Sequence, residues 1–165
     1  MAEFVMKKLV SDLPANSQGP VMEFEIASAA TSTEEIGNPV YPPARRMLAM
    51  HGIDCSGKTA RQMTVRDYEY YDYIVLMDGN NLRNLRWILP ADIYARETAA
   101  VRNSQSAGVD SGSSRRKVSL LMDWACESRD VADPWYTGDF VATWDDVNAG
   151  CKAMLSKILV SCQKT

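Results

Sequence analysis

A carboxylic acid followed by proline and two aromatic residues, Asp133-Pro134-Trp135-Tyr136, is the segment of this chain best suited to chemistry. Pro134 fixes its own φ angle and biases Asp133 toward an extended backbone. A carboxyl group placed in this way can give a proton to a bound molecule, and the two aromatic rings could wall a slot for an aryl group. The alternative is an ordinary surface Asp-Pro turn.

A thiol and an arginine six positions apart, Cys55 and Arg61, form the one C-x5-R pattern in the sequence. Such a pair could combine a nucleophilic thiolate with a cation that holds the oxygens of an anion. A working anion loop leaves a strand and enters a helix, so that backbone N–H groups and the helix dipole converge on the ligand. Cys55 instead follows a helix closed by Gly52, and the next helix signal is Thr64. We therefore expect no anion cradle at residues 55–61.

The other cysteines are weaker candidates for a nucleophile. Cys162 ends an apolar run, but no arginine follows it, so an extension of the last helix or a frayed tail is the favoured interpretation. Cys126 and Cys151 are expected to be a loop thiol and a core thiol. The irregular spacing of the cysteines and the single histidine, His51, indicate neither a disulfide framework nor a metal site.

Several motifs along the chain resemble the low-molecular-weight protein-tyrosine phosphatases. Residues 130–139 resemble the general-acid loop of that family. Met1-Ala-Glu-Phe resembles the helix that follows the family's phosphate-binding loop. Four further segments fall in family order, namely residues 28–31, 51–53, 60–62 and 77–78 with Asn80 or Asn81.

The resemblance implies hydrolysis of aryl phosphate monoesters through a cysteinyl-phosphate intermediate, without a metal or an organic cofactor. It assigns Asp133 as the general acid and places Trp135 and Tyr136 at the substrate. A phosphotyrosine-containing protein or a small aryl phosphate would be the partner.

The resemblance also implies two groups of supporting residues. The substrate-rim loop, residues 30–43, reads Thr33-Glu34-Glu35 where many relatives carry an aromatic residue, so Tyr41 could supply the apolar face instead. Three asparagines could support the phosphate loop through side-chain hydrogen bonds, or could simply begin a helix: Asn80, Asn81 and Asn84.

The family's own signature is a strand that runs into Cys-x5-Arg-Ser-Pro, and it is expected immediately before Met1, where the sequence does not contain it. We therefore expect a phosphatase by family that is inactive as this truncated chain. A start site placed too far downstream and a fragment are the favoured explanations. Two alternatives stay open, a non-catalytic remnant or interaction module and an arsenate-reductase-like protein on the same fold.

Composition and charge restrict the class of protein. The chain has 165 residues, 46% of them hydrophobic and 24% charged, which predicts a single globular domain over residues 1–165. A net charge of −3 gives no reason to expect a nucleic acid or an anionic membrane as partner. No apolar run approaches the roughly 18 residues of a membrane span, and no secretory signal is recognisable, so we expect a cytoplasmic protein.

Three apolar runs predict strands near residues 24–30, 73–78 and 117–122, each buried on both faces of a parallel sheet. Helices between them indicate an α/β protein. The resemblance makes it a three-layer sandwich of the phosphotyrosine protein phosphatase I-like type, with a short parallel sheet whose central first strand is missing from this chain.

Helix signals surround these strands. Pro42-Pro43, Thr64 and Asp78 are expected to begin helices, and a last helix is expected to begin near Thr143, which forms a capping-box-like pair with Asp146. The region at about residues 90–116 looks like a flexible insertion, because its second half is rich in Gly and Ser.

Overall fold

A computed structural model describes residues 1–14, 22–106, 117–134 and 138–162. Two strands are assigned in these ranges, β1 (Ile74–Leu76) and β2 (Val118–Leu120), and a short 3-10 helix covers Leu85–Trp87. No helix in the described ranges is long and apolar enough to cross a membrane. The α-helices are α1 (Ala2–Ser11), α2 (Pro42–Met50), α3 (Val65–Tyr70), α4 (Gly79–Asn84), α5 (Ala91–Ser106), α6 (Leu121–Trp124) and α7 (Phe140–Cys162).

The sheet confirms two of the three predicted strands. β1 and β2 pair in parallel, with Ile74 opposite Val118 and Leu76 opposite Leu120. The third prediction, a strand near residues 24–30, is wrong for the described residues, since that segment makes only an isolated parallel bridge between Ala30 and Gln62. The described sheet contains only β1 and β2, so residues 24–30 have no strand beside them with which to form a ladder.

Helices cover both faces of this sheet. Val75 packs against a first apolar cluster, whereas Ile74 and Leu76 belong to a second, because alternate side chains of a strand point to opposite faces. The first cluster joins α1, α2, α6 and α7, and the second joins α3, α4 and α5 to β2. The arrangement is an α/β fold with a small parallel sheet between helical layers.

The predicted helix starts at Thr64 and Asp78 are confirmed by their hydrogen bonds. The Thr64 hydroxyl accepts from the backbone N–H of Asp67, whose carboxylate accepts from the N–H of Thr64, so the two form a capping box before α3. Asp78 caps α4 by accepting from the N–H of Asn81 at 2.6 Å. At the end of α2, the His51 ring stacks on Trp144 of α7 with centroids 3.7 Å apart.

The first part of the expected flexible insertion at about 90–116 is a helix. α5 occupies residues 91–106, and Val101 is 1% exposed, with Glu97 and Thr98 also buried. The Glu97 carboxylate accepts a hydrogen bond from the Tyr68 hydroxyl at 2.7 Å. These contacts attach α5 to α3. The amino-acid composition of the segment does not reveal this attachment. Residues 107–116 lie outside the described residues.

Candidate active site

The exposed carboxyl group of Asp133 lies on the connection between α6 and α7, which we call the acid loop (residues 125–134). One side of this loop is attached to the end of β1 and the start of α4. The N–H of Val131 donates to the Met77 carbonyl at 2.9 Å, and the N–H of Gly79 donates to Asp130 at 3.0 Å. The Val131 side chain is buried in the first apolar cluster, so the backbone just before Asp133 has a fixed position.

The other side of the acid loop is attached to α7. The Thr143 hydroxyl donates to the Ala132 carbonyl at 2.7 Å, and the Ala132 N–H donates to Asp146 at 2.9 Å. Both terminal guanidinium nitrogens of Arg129 donate to the same Asp146 carboxylate, at 2.7 and 2.6 Å. Arg129, opposed by burial and helped by the Ala132 N–H, holds the pKa of Asp146 below its ordinary value, so this carboxylate is ionised at neutral pH.

These contacts correct the predicted start of the last helix. α7 begins at Phe140, and Asp139 accepts from the N–H groups of Val141 and Ala142 at 3.0 and 2.9 Å. Because Asp139 takes the capping position, Thr143 and Asp146 lie inside the helix and bind the acid loop instead of capping the helix.

Tyr41, predicted at the substrate rim, lies beside the start of α7. Its ring centroid is 6.0 Å from that of Phe140, and the side chain is 48% exposed. Tyr41 is also the residue immediately before α2, where Pro42 fixes the backbone. Tyr41 is therefore close to the start of α7. The other two predicted substrate residues, Trp135 and Tyr136, lie outside the described residues.

The three predicted supporting asparagines have different contacts. Asn81 accepts from the Met77 N–H at 3.1 Å and so closes the end of β1. Asn84 donates to the Thr31 hydroxyl at 3.4 Å, which connects α4 to the predicted rim loop. The third, Asn80, accepts from the guanidinium of Arg83 within its own helix. Two of the three therefore brace neighbouring elements.

The prediction that Cys55 and Arg61 form no anion cradle is confirmed. Cys55 is 5% exposed within the first apolar cluster. The Arg61 guanidinium donates to both carboxylate oxygens of Asp67, at 2.9 and 2.7 Å. Two of the backbone N–H groups between them are already used, since that of Ser56 donates to the Asp54 carboxylate and that of Ala60 to the Asn38 carbonyl. The thiol is therefore buried among apolar side chains, and the cation and these amides bind other groups.

The remaining thiols match their predicted environments. Cys151 is buried, and burial raises the pKa of its thiol to about 12, which makes it a core residue and a poor nucleophile. Cys126 is exposed, with a φ of 63° after α6, as expected for a loop thiol. The backbone of α7 continues through Cys162, which confirms the predicted helix extension.

Sequence reasoning missed a buried carboxylate in α1. The Glu3 side chain is 4% exposed and forms ion pairs with Lys58 at 2.7 Å and Lys7 at 2.6 Å. Ser28 donates to the same carboxylate at 2.6 Å. Burial alone would raise the pKa of Glu3, but these three hydrogen bonds outweigh it and lower the pKa to about 2. Lys7, four residues along the helix, was the one partner visible in the sequence.

Comparison with known proteins gives consistent results. Residues 1–164 match the family described as low molecular weight phosphotyrosine protein phosphatase. The chain is 32% identical over 160 residues to the low molecular weight phosphotyrosine protein phosphatase of Mus musculus, covering 95% of this chain and 85% of the mouse protein.

Two solved structures are similar as well. SP-PTP, a low molecular weight protein tyrosine phosphatase from Streptococcus pyogenes, is 33% identical with a TM-score of 0.63, covering 94% of this chain and 81% of that one. YfkJ from Bacillus subtilis is 26% identical with a TM-score of 0.71, covering 97% of this chain and 86% of that one. The sequence match and the structural matches agree on one family.

Proposed function

The chain belongs to the low molecular weight phosphotyrosine protein phosphatase family, and we propose that it carries the general acid of an aryl phosphate monoester hydrolase. Asp133 is that acid, and a phosphotyrosine-containing protein or a small aryl phosphate is the substrate. The observation that supports this proposal is the anchoring of the acid loop on both sides, which fixes the backbone just before an exposed carboxyl group.

The proposed reaction has two steps. A cysteine thiolate attacks phosphorus, the aryl O–P bond breaks, and Asp133 gives its proton to the departing phenolate oxygen. Water then attacks the cysteinyl phosphate, the Asp133 carboxylate takes a proton from that water, and inorganic phosphate leaves with the thiolate restored. Tyr41, with Trp135 and Tyr136, would form the aromatic surface against the substrate ring.

The nucleophile of this reaction is proposed to lie in a strand and Cys-x5-Arg-Ser-Pro segment joined ahead of Met1. Within the printed sequence C-x5-R occurs only at Cys55 and Arg61, and Cys55 is buried in the first apolar cluster while Arg61 binds Asp67. The 165 residues alone should therefore hydrolyse aryl phosphates no faster than background, because a covalent mechanism without its nucleophile can lose about a millionfold in rate.

The edge of β1 away from β2, which has no strand beside it among the described residues, supports the place of that strand. The N–H of Ile74 donates toward β2, to the Lys117 carbonyl, so the backbone groups of Val75 point to the opposite edge of the strand. Among the described residues, no backbone hydrogen bond outside the β1–β2 ladder involves them. A further parallel strand between β1 and residues 24–30 would pair these groups, and Asn81 and Asn84 would then lie near the loop that leaves it.

Expression of the chain with and without a strand-Cys-x5-Arg-Ser-Pro segment tests this proposal. We expect turnover of phosphotyrosine and a higher thermal midpoint only in the extended chain, and loss of turnover when the added cysteine becomes serine. An extended chain that is folded but inactive would favour the non-catalytic remnant. Turnover by the unextended chain would show that the nucleophile lies elsewhere.

A further inference from the structure

We propose that Thr143 and Asp146 of α7 are positioning residues for the general acid, and this inference rests on the proposed role of Asp133. They act through Ala132, the residue immediately before Asp133. Thr143 donates to the Ala132 carbonyl at 2.7 Å, and Asp146 accepts from the Ala132 N–H at 2.9 Å. Both polar backbone groups of one loop residue are thus held by side chains from one helix.

The consequence for Asp133 follows from backbone geometry. The Ala132 N–H belongs to the peptide plane before Ala132, and its carbonyl belongs to the plane shared with Asp133, so the two contacts fix both planes. On the far side of Asp133, Pro134 restricts the backbone of the acid itself. Little freedom then remains except rotation of the carboxyl side chain. Positioning matters at this scale, because a misplacement of about 1 Å can cost roughly 10²-fold in rate.

Arg129 completes this arrangement from the loop side. It donates through two nitrogens to Asp146, at 2.7 and 2.6 Å, and it also donates to Glu127 at 2.7 Å and to the Asp130 carbonyl at 3.3 Å. Asp146 therefore serves two parts of the same loop with one carboxylate that is 12% exposed. Loss of Asp146 would release the guanidinium and the Ala132 N–H together.

Two pairs of variants isolate these contacts. Asp146→Ala removes the carboxylate, and Asp145→Ala is its matched control, since Asp145 is the neighbouring, exposed residue of the same helix. Thr143→Val removes the hydroxyl at nearly constant volume, and Thr143→Ser restores it. These variants separate the contact with Ala132 from general effects on α7.

Amide hydrogen exchange measures the protection of the Ala132 N–H directly. It can be recorded on the 165-residue chain, because it requires no catalytic activity. We expect exchange at the Ala132 amide to rise by at least about tenfold in Asp146→Ala, with the Val131 amide and the Asp145→Ala control unchanged. Equal protection of Ala132 in Asp146→Ala and in the unsubstituted chain would overturn the inference.

Leaving-group dependence distinguishes positioning of the acid from general stabilisation. In the extended chain, Asp146→Ala and Thr143→Val should lower kcat/KM, which reports the step that releases the phenol, by roughly 10–100-fold for phosphotyrosine. The loss should be much smaller for p-nitrophenyl phosphate, whose leaving group needs little protonation. Thr143→Ser should restore the phosphotyrosine rate. A loss of folded protein would instead lower both rates by one factor, and that result would overturn the inference.

The remaining outcomes separate this inference from the proposed function. If the extended chain turns over no aryl phosphate, or if Asp133→Asn leaves turnover intact, the proposed function fails and the inference fails with it. If Asp133→Asn abolishes the leaving-group-sensitive rate while Asp146→Ala and Thr143→Val do not change it, only the inference is wrong.

Discussion

Arg129 and Asp146 form a two-point ion pair, with guanidinium-to-carboxylate distances of 2.7 and 2.6 Å, that joins the acid loop to α7. The residues are 17 positions apart, and the Asp146 side chain is largely buried while that of Arg129 is 47% exposed. Because Asp146 also binds the Ala132 backbone, the pair fixes the loop that leads to Asp133. Its significance lies more in geometry than in stability, since half-exposed ion pairs contribute only about 0–1 kcal/mol.

Low pH should lower the stability of the protein through protonation of Glu3. The pKa of this carboxylate falls from 4.5 to about 2 on folding, so its contribution to stability is complete above pH 4.5 and is lost as the pH falls toward 2. Linkage makes that contribution about 3 kcal/mol of unfolding free energy. Urea unfolding at pH 7 and pH 3 should therefore show a smaller loss of stability in Glu3→Gln than in the unsubstituted chain.

Glu34→Gln is the control for that measurement, because Glu34 is exposed on the loop before α2. Its loss of stability between the two pH values should equal that of the unsubstituted chain. Equal losses of unfolding free energy between pH 7 and pH 3 in all three proteins would show that Glu3 does not cause the loss of stability at low pH.

A glycine in α7 is expected to be required for close packing on α6. A Cβ atom built at Gly150 would lie 2.5 Å from Cγ of Leu121, a side chain that is 1% exposed. Gly to Ala in an open helix would stabilise by about 0.5–1 kcal/mol, but overpacking a closed core costs about 1–3 kcal/mol. Gly150→Ala should therefore lower the unfolding free energy measured in urea.

The Leu121→Ala background tests whether the contact with Leu121 causes the loss of stability in Gly150→Ala. In that background the space beside residue 150 is open, so Gly150→Ala should be neutral or stabilising, with a coupling energy above about 1 kcal/mol between the two sites. Additive losses would mean that the contact with Leu121 is not the reason for the effect.

Cys55 should be dispensable for catalysis. It is a core residue at 5% exposure, so Cys55→Ser should cost about 1–3 kcal/mol of stability by burying a hydroxyl, and Cys55→Ala should avoid that polar penalty. Turnover of phosphotyrosine per folded molecule should remain unchanged in both variants of the extended chain. A fall of several orders of magnitude in a folded Cys55→Ala protein would identify Cys55 as the nucleophile.

Local features of this fold were predictable from the sequence. The capping contacts of Thr64 with Asp67 and of Asp78 with Asn81 join residues three positions apart, and each depends on a short side chain that accepts from a helix N–H. The apolar run of β1 and the buried run of β2 are similarly local, because a parallel strand between helical layers is mostly apolar on both faces.

The candidate site was less predictable, because its contacts join distant parts of the chain. Thr143 and Asp146 have the spacing of a capping box, and the sequence alone does not reveal that Asp139 caps α7 and leaves them to bind Ala132. Likewise, Lys58 is 55 positions from Glu3, so no periodic pattern connects them. The acid itself, Asp133, was recognisable because its proline and aromatic neighbours are adjacent in the sequence.

The most direct test of the account is the turnover of phosphotyrosine by Asp133→Asn in the extended chain, with Asp145→Asn as an exposed control on α7. Loss of the general acid in Asp133→Asn should lower kcat by a factor of roughly 10²–10⁴, whereas the kcat of the control should not change. The two variants should have equal thermal midpoints. A phosphotyrosine rate in Asp133→Asn equal to that of the control would contradict the assignment of Asp133 as the general acid.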